Sequence, residues 1–302
     1  VDHRLRPAVT AAQNLRRDDL LAASTTMGAV TLHVGDLVAM SAYYREALAL
    51  TELPGTGGPG RVVLGRGRTP VVVLRHTPGL PPTSRHQAGL FHTAVLLDTE
   101  EALAAAVAHA ARHPLSRFVG NADHWVSRAF YFTDPEDNGI ELYWDRPRET
   151  WQRSGGRVAM GSDWFDPQAY LQQHLDESAL AGASGQEARV GHVHLQVGDL
   201  TVARRFYVDT LGLELTADLP GALFVAAGGY HHHVAVNTWN SAGAAPRAAS
   251  LGLGQVALTV PGQDDVDALR DRLRHARVPV RDDGRTLRFD DPWKTLVEVA
   301  VA

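Results

Sequence analysis

The sequence contains no cysteine, which excludes disulfides, thiolate metal sites and cysteine nucleophiles together and agrees with a reducing compartment. It also lacks a basic excess. With 29 Lys and Arg against 34 Asp and Glu the formal charge is −5, so neither nucleic acid nor an anionic membrane surface is an expected partner. No apolar run approaches the roughly 18–20 residues of a membrane span, and the N-terminal region has no signal-peptide apolar centre. The expectation is a cytoplasmic protein acting on small molecules. What is plentiful is histidine, 15 residues in 302, in a chain 44% hydrophobic and 21% charged. That profile is soluble and globular, and long enough for two domains.

Residues 1–27 show little periodicity and read as a flexible extension. From there one pattern recurs four times. AVTLHVGDL alternates like a strand and leads into VAMSAYYREALAL, spaced as a short amphipathic helix, then RVVLGRG and TPVVVLRH read as a hairpin. GLFHTAVLLDT, GHVHLQVGDL and GLGQVALTVPG each open a similar β-α-β-β series, and VGDL recurs verbatim at 34–37 and 197–200. Equivalent positions repeat regularly. Ala29 and His92 are 63 positions apart, as are His192 and Gln255, and both Ala29 to His192 and His92 to Gln255 span 163. The chain therefore divides into two similar halves of two modules each, 28–147 and 189–302. Between them, 148–188 is a linker with a helix expected at DPQAYLQQHLDESAL and a flexible tail, AGASGQEA. Its Trp151 and Trp164 suggest that it is docked.

These modules, with the segments GLFHTAVLL, DPEDNGIELYWDRP, GHVHLQVGDL, FYVDTLGL and GGYHHHVAVNTW, resemble the vicinal oxygen chelate superfamily of glyoxalases, bleomycin-resistance proteins and extradiol dioxygenases. The likeness is strongest to bacterial two-half proteins of catechol 2,3-dioxygenase type and covers residues 28–302. It implies an α+β fold of four βαβββ modules in two similar halves, paired into cup-shaped mixed β-sheets with helices outside, around one divalent metal.

The first-strand slot of the four modules holds Ala29, His92, His192 and Gln255 in turn. The last-strand slot is acidic at Glu141, after DPEDNG, and at Glu298, after DDPWK. Two histidines and one carboxylate form the facial set that suits non-haem Fe(II) with open positions. Modules 2 and 3 supply it as His92, Glu141 and His192, with Fe(II) the expected metal and Mn, Ni or Zn as alternatives. The rival set, from modules 3 and 4, is His192, Gln255 and Glu298. The preferred set bridges the two halves and leaves modules 1 and 4 to pair without a metal.

The resemblance also assigns proton handling to a histidine and a tyrosine ahead of the ligand glutamate, here His124 and Tyr131. In the run 231–233, His232 or His233 is expected to line the cavity and His231 to face outward. Tyr131, Phe130, Trp125, Trp144 and Trp239 are candidates for the cavity wall, and Arg128, where the resemblance implies an acidic residue, signals either an anionic substrate or an altered surface. The leading functional expectation is an Fe(II)-dependent extradiol dioxygenase whose partners are a catechol-like aromatic and O2. The alternatives are a glyoxalase-like metal-dependent isomerase or lyase and a non-catalytic drug-binding protein. Assembly as a homodimer is open.

Overall fold

The computed structural model describes residues 20–302, so residues 1–19 of the extension expected over 1–27 lie outside the described residues. The remainder of that segment is packed. Leu21 is buried, its N–H donates to the Gly212 carbonyl at 2.8 Å, and Thr26–Met27 pairs with Gly252–Val260. An apolar side chain with a core to enter and a backbone with a strand to join are held in place.

In every module the first strand runs parallel to the last. Val30–Val34 pairs with Thr69–His76, Gly89–Leu97 with Gly139–Asp145, Ala188–Gln196 with Val234–Asn237, and Gly252–Val260 with Leu296–Val301. A parallel pair requires a crossover. The crossovers are the helices Leu37–Ala47, Glu100–Arg112, Leu200–Arg204 and Gln263–His275, the third continuing as a π-helical stretch, Arg205–Thr210. The repeated VGDL is a helix start. Asp36 accepts from the Ala39 N–H and Asp199 from that of Val202, while Thr99 does the same for Ala102.

Two large mixed sheets result, and neither coincides with a sequence half. One joins modules 1 and 4 where Gly252–Val260 runs antiparallel to Val30–Val34. The other joins modules 2 and 3 where Ala188–Gln196 runs antiparallel to Gly89–Leu97. Strand alternation then sorts the side chains of the second sheet. Val95, Phe130, Leu142 and Val193 enter the main core with the helices. His92, Tyr131, Glu141 and His192 take the opposite face.

The linker forms two short helices, Pro167–His174 and Glu177–Ala181, where one was expected. The second starts afresh because Asp176 caps the Ser178 N–H at 2.7 Å. Ala179 and Ala183 pack on Ala105, which is why the alanine-rich helix Glu100–Arg112 is buried on nearly all sides. Trp151 is docked, but Trp164 is 74% exposed. The neighbouring Phe165 makes the contact instead, against Phe130 and Tyr170. Among the described residues no helix is long and apolar enough to cross a membrane.

Candidate metal centre

Register places the preferred residues in two adjacent rows. His192 lies opposite Ala94, Ala94 opposite Glu141, and Glu141 opposite Tyr131. One step along, His194 lies opposite His92. Neighbouring strands are about 4.8 Å apart, so His192 and Glu141 start from strands roughly 10 Å apart. The methyl side chain of Ala94 leaves the space between them clear. Nε2 of His192 comes to 3.1 Å from Oε2 of Glu141, and Nε2 of His92 to 2.8 Å from the same oxygen. All three residues are buried.

Burial by itself raises the Glu141 carboxyl, but attraction from His192 and His92, with the hydrogen bond to His192, outweighs it and holds the group well below the usual carboxylate range. Burial pushes His192 down to about 4 against the upward pull of Glu141. A carboxylate beside a neutral imidazole is a set of lone pairs ready for a cation at neutral pH. His92 supplies a further sign. Its Nε2 is occluded from solvent and, although 2.8 Å from Oε2, has no hydrogen-bond partner. Buried polar atoms in this state normally have a partner of another kind. The three donor atoms lie within 4.8 Å of one another, and two nitrogens with one carboxylate oxygen fit Fe(II) or a similar divalent ion.

On the same face Nε2 of His124 lies 2.6 Å from the Tyr131 hydroxyl, and the Tyr131 ring is 5.5 Å from that of His92. His124 Nδ1 lies 2.8 Å from the Gly161 carbonyl. A carbonyl only accepts, so Nδ1 carries the proton and Nε2 of the neutral ring is an acceptor. Gly161 belongs to the linker, which is paired to this strand end by reciprocal bonds between Asp123 and Asp163 of 2.8 and 2.9 Å. Trp125, in the left-handed region at φ 68°, is pinned by its N–H to Asp123 and its indole to Asp163. The linker thus holds His124 in place, a role its composition did not signal.

The histidine run divides differently from expectation. His232 stacks 4.0 Å from the ring of His192. His233 instead uses Nδ1 to accept the Ala227 N–H at 3.1 Å and packs on Tyr230, so its task is to hold the turn. His231 does not face outward: it is fully buried, 2.8 Å from Asp145 and 2.7 Å from His232. The segment sits just before the strand Val234–Asn237, so strict alternation does not apply to it.

The rival set is not assembled. Gln255 and Glu298 lie in the other sheet, where Glu298 accepts from Arg288 at 2.6 Å. Arg128 is also reassigned. It lies on the helix-facing side, 3.1 Å from Glu100 and over the rings of Phe165 and Tyr170, where it fastens the linker and cannot read a substrate. Of the expected wall residues, Phe130 and Trp144 pack with the main core and Trp125 with the linker. Trp239 does approach the site, together with Phe91, Phe224 and His194. The His194 ring is 5.0 Å from both Phe91 and His92, and 5.3 Å from Trp239. His194 was missed, although it stands two positions after His192 in GHVHLQ and so shares its face. Burial, and then His92 and His192, hold it well below the ordinary histidine value, and Asn237 Nδ2 lies 3.0 Å from its Nε2.

A family model described as the Glyoxalase/Bleomycin resistance protein/Dioxygenase superfamily matches residues 26–142 and 189–299. The chain is 32% identical over 272 residues to a catechol-2,3-dioxygenase of Bacillus subtilis (strain 168), covering 89% of this chain and 94% of that one. A solved putative dioxygenase from Bacillus subtilis superposes with a TM-score of 0.57 at 15% identity, over 91% of this chain and 85% of that chain. Glyoxalase I from Zea mays superposes with 0.55 at 17% identity, over 92% of both.

Proposed function

The chain belongs to the Glyoxalase/Bleomycin resistance protein/Dioxygenase superfamily, and from that premise we propose that it is an Fe(II)-dependent extradiol dioxygenase, opening a catechol-like ring beside its two hydroxyls with O2. Similarity to the Bacillus catechol-2,3-dioxygenase over most of both chains supports a dioxygenase-like enzyme. The observation that carries the finer reading is the convergence of His92 and His192 on one oxygen of Glu141, with the His124–Tyr131 pair on the same face.

His92, Glu141 and His192 would hold the iron. When bound, it supplies a Lewis acid for the diol oxygens and a redox centre shared with O2. The protein's own part is positioning and proton handling. His124 presents an acceptor nitrogen whose tautomer the Gly161 carbonyl sets, suited to taking a hydroxyl proton from the diol. Tyr131 donates its hydroxyl proton to that nitrogen in the resting site, and once Nε2 has taken the diol proton the hydroxyl is released to donate to a developing oxyanion. His232, across from them against His192, offers a second proton-handling imidazole. Phe91, Phe224, Trp239 and His194 offer flat apolar surface to an aromatic ring.

A protein that only sequesters a drug has no use for the His124–Tyr131 pair. The test is anaerobic Fe(II) loading, followed by a panel of catechols and air. Oxygen consumption with a coloured ring-fission product is expected, and a stoichiometrically loaded protein that consumes no oxygen with any catechol would sink the proposal.

A further inference from the structure

Behind His232 lies a buried chain of polar groups that the proposed reaction has not used. Asp145, at the end of the strand that carries Glu141, places Oδ1 at 2.8 Å from Nε2 of His231. Nδ1 of His231 is 2.7 Å from Nδ1 of His232. The Tyr230 hydroxyl donates to the other Asp145 oxygen at 2.7 Å and meets the Tyr143 hydroxyl at 2.8 Å. The indole of Trp151, from the linker, packs 5.2 Å from the His231 ring. His231 has no exposed side-chain surface, whereas the Asp145 side chain is 19% exposed.

The direction of the bonds follows from the chemistry of the end group. A carboxylate can only accept, so His231 must donate from Nε2. Its Nδ1, in the neutral ring, then carries a lone pair and accepts from His232 Nδ1–H. That leaves Nε2 of His232 deprotonated and without a hydrogen-bond partner among the described residues, in a ring stacked on His192. The same logic fixes His124 through Gly161, so both proton-handling histidines would present Nε2 as an acceptor.

We infer that Asp145 and His231 are positioning residues that lock His232 in the Nδ1–H tautomer, so that its Nε2 lone pair is the one offered to the substrate. The use made of that lone pair rests on the dioxygenase reading, but the tautomer itself does not. A carboxylate that orients an imidazole through its ring N–H is a known means of setting tautomer, and replacement by the amide can invert it, because an amide also donates.

The test reads the ring nitrogens directly. In 15N-labelled protein loaded with diamagnetic Zn(II), long-range 15N–1H correlation spectra distinguish the two neutral tautomers. Wild type should show His232 as Nδ1–H and His231 as Nε2–H, with His232→Gln and His231→Asn used for assignment. Asp145→Asn should convert His232 partly or wholly to Nε2–H and lower kcat of the Fe(II) enzyme about 10- to 100-fold at unchanged KM and iron content. Tyr230→Phe removes the other bond to Asp145 without touching His231, and should keep kcat within about threefold. If Asp145→Asn fails to fold, the pair His231→Asn and His231→Leu decides. The amide oxygen can accept from His232 Nδ1–H and should retain most of kcat, whereas leucine should not.

An unchanged His232 tautomer in Asp145→Asn, or equal activity of the His231 asparagine and leucine variants, would overturn the inference. So would two bound metals per chain with one lost in His231→Leu, since His231 and His232 would then be chelating through their Nδ1 atoms. Correct tautomers in a protein that cleaves no catechol would instead count against the dioxygenase reading.

Discussion

Nε2 of His192 stands 3.1 Å from Oε2 of Glu141, 51 positions apart in the chain. Strand pairing between modules 2 and 3, and the small side chain of Ala94 between the two, make that approach available. Removing one member of the set leaves too few donors to hold a divalent ion. His92→Ala, His192→Ala and Glu141→Ala should therefore each come off a desalting column with little iron after Fe(II) loading. Glu298→Ala should retain about one equivalent, because that carboxylate belongs to the other sheet and is engaged by Arg288. Elemental analysis of the four variants decides, and iron lost only in Glu298→Ala would move the site.

Tyr131 and His124 form the shortest imidazole–hydroxyl contact of the site, 2.6 Å. Tyr131→Phe keeps the ring and deletes the hydroxyl. General acid–base groups of this kind contribute about 10²–10⁴-fold. The expected outcome is a kcat loss at the lower end of that range for Tyr131→Phe and a larger one for His124→Ala, both at full iron content. Oxygen-electrode rates normalised to bound iron check this, and a phenylalanine variant of wild-type rate would remove Tyr131 from the mechanism.

The repeat was legible because module periodicity and slot identity survive in the sequence, which is why His92, Glu141 and His192 could be selected together. Their meeting depends on modules 2 and 3 sharing a sheet, and the histidine slots pointed to that pairing before any strand register was known. What stayed hidden is what strand periodicity does not encode. His231 turns inward at an irregular segment, the Gly161 carbonyl arrives from a linker with no motif, and Asp145 looks like any acidic residue at a strand end. Arg128 shows the converse. Its positive charge, where the resemblance implies an acidic residue, suggested an anionic substrate or an altered surface, and alternation puts it on the other side of the sheet from Tyr131.

Asp134 caps the turn that leads into the Glu141 strand, accepting from the backbones of Glu136 and Asn138, from the Asn138 amide and from the Tyr44 hydroxyl, each at 2.9 Å. Burial nevertheless raises its carboxyl from 3.8 to about 6, those bonds opposing the shift. The folded state therefore holds the proton more tightly than the unfolded chain. This contribution to stability is complete below about pH 4 and is lost as pH rises through about 6. A shift of this size corresponds to about 3 kcal/mol. Urea midpoints of wild type and Asp134→Asn at pH 7 and pH 5 should accordingly diverge in favour of wild type at the lower pH. A difference that does not change with pH would contradict the assignment. Asp291, bonded to Tyr207 as Asp134 is to Tyr44, is raised for the same reason, whereas burial lowers His192 and His194 and makes them lose stability as pH falls, so the difference between wild type and variant, not either curve alone, reads Asp134.

Gly191 precedes His192 at a register shift between Val190 and His192, where the strand bulges against Gly89–Leu97. A Cβ at this position would lie 1.7 Å from the Tyr143 hydroxyl and 2.8 Å from its ring carbon, and Tyr143 is fully buried and tied to Tyr230. Neither side can yield without moving either the strand that carries His192 or Tyr143 and the Tyr230 hydroxyl it meets. Gly191→Ala should cost roughly 1–3 kcal/mol, as overpacking does, and weaken iron retention through displacement of His192. Tyr143→Phe removes the closest atom of the clash but not the ring. In the Gly191→Ala background it should recover part of the stability and part of the iron, whereas alone it should be mildly destabilising. Denaturation midpoints and iron content of the four proteins in this double-mutant cycle test the coupling. Strict additivity would mean that the strand carrying His192 is not held in place through Tyr143.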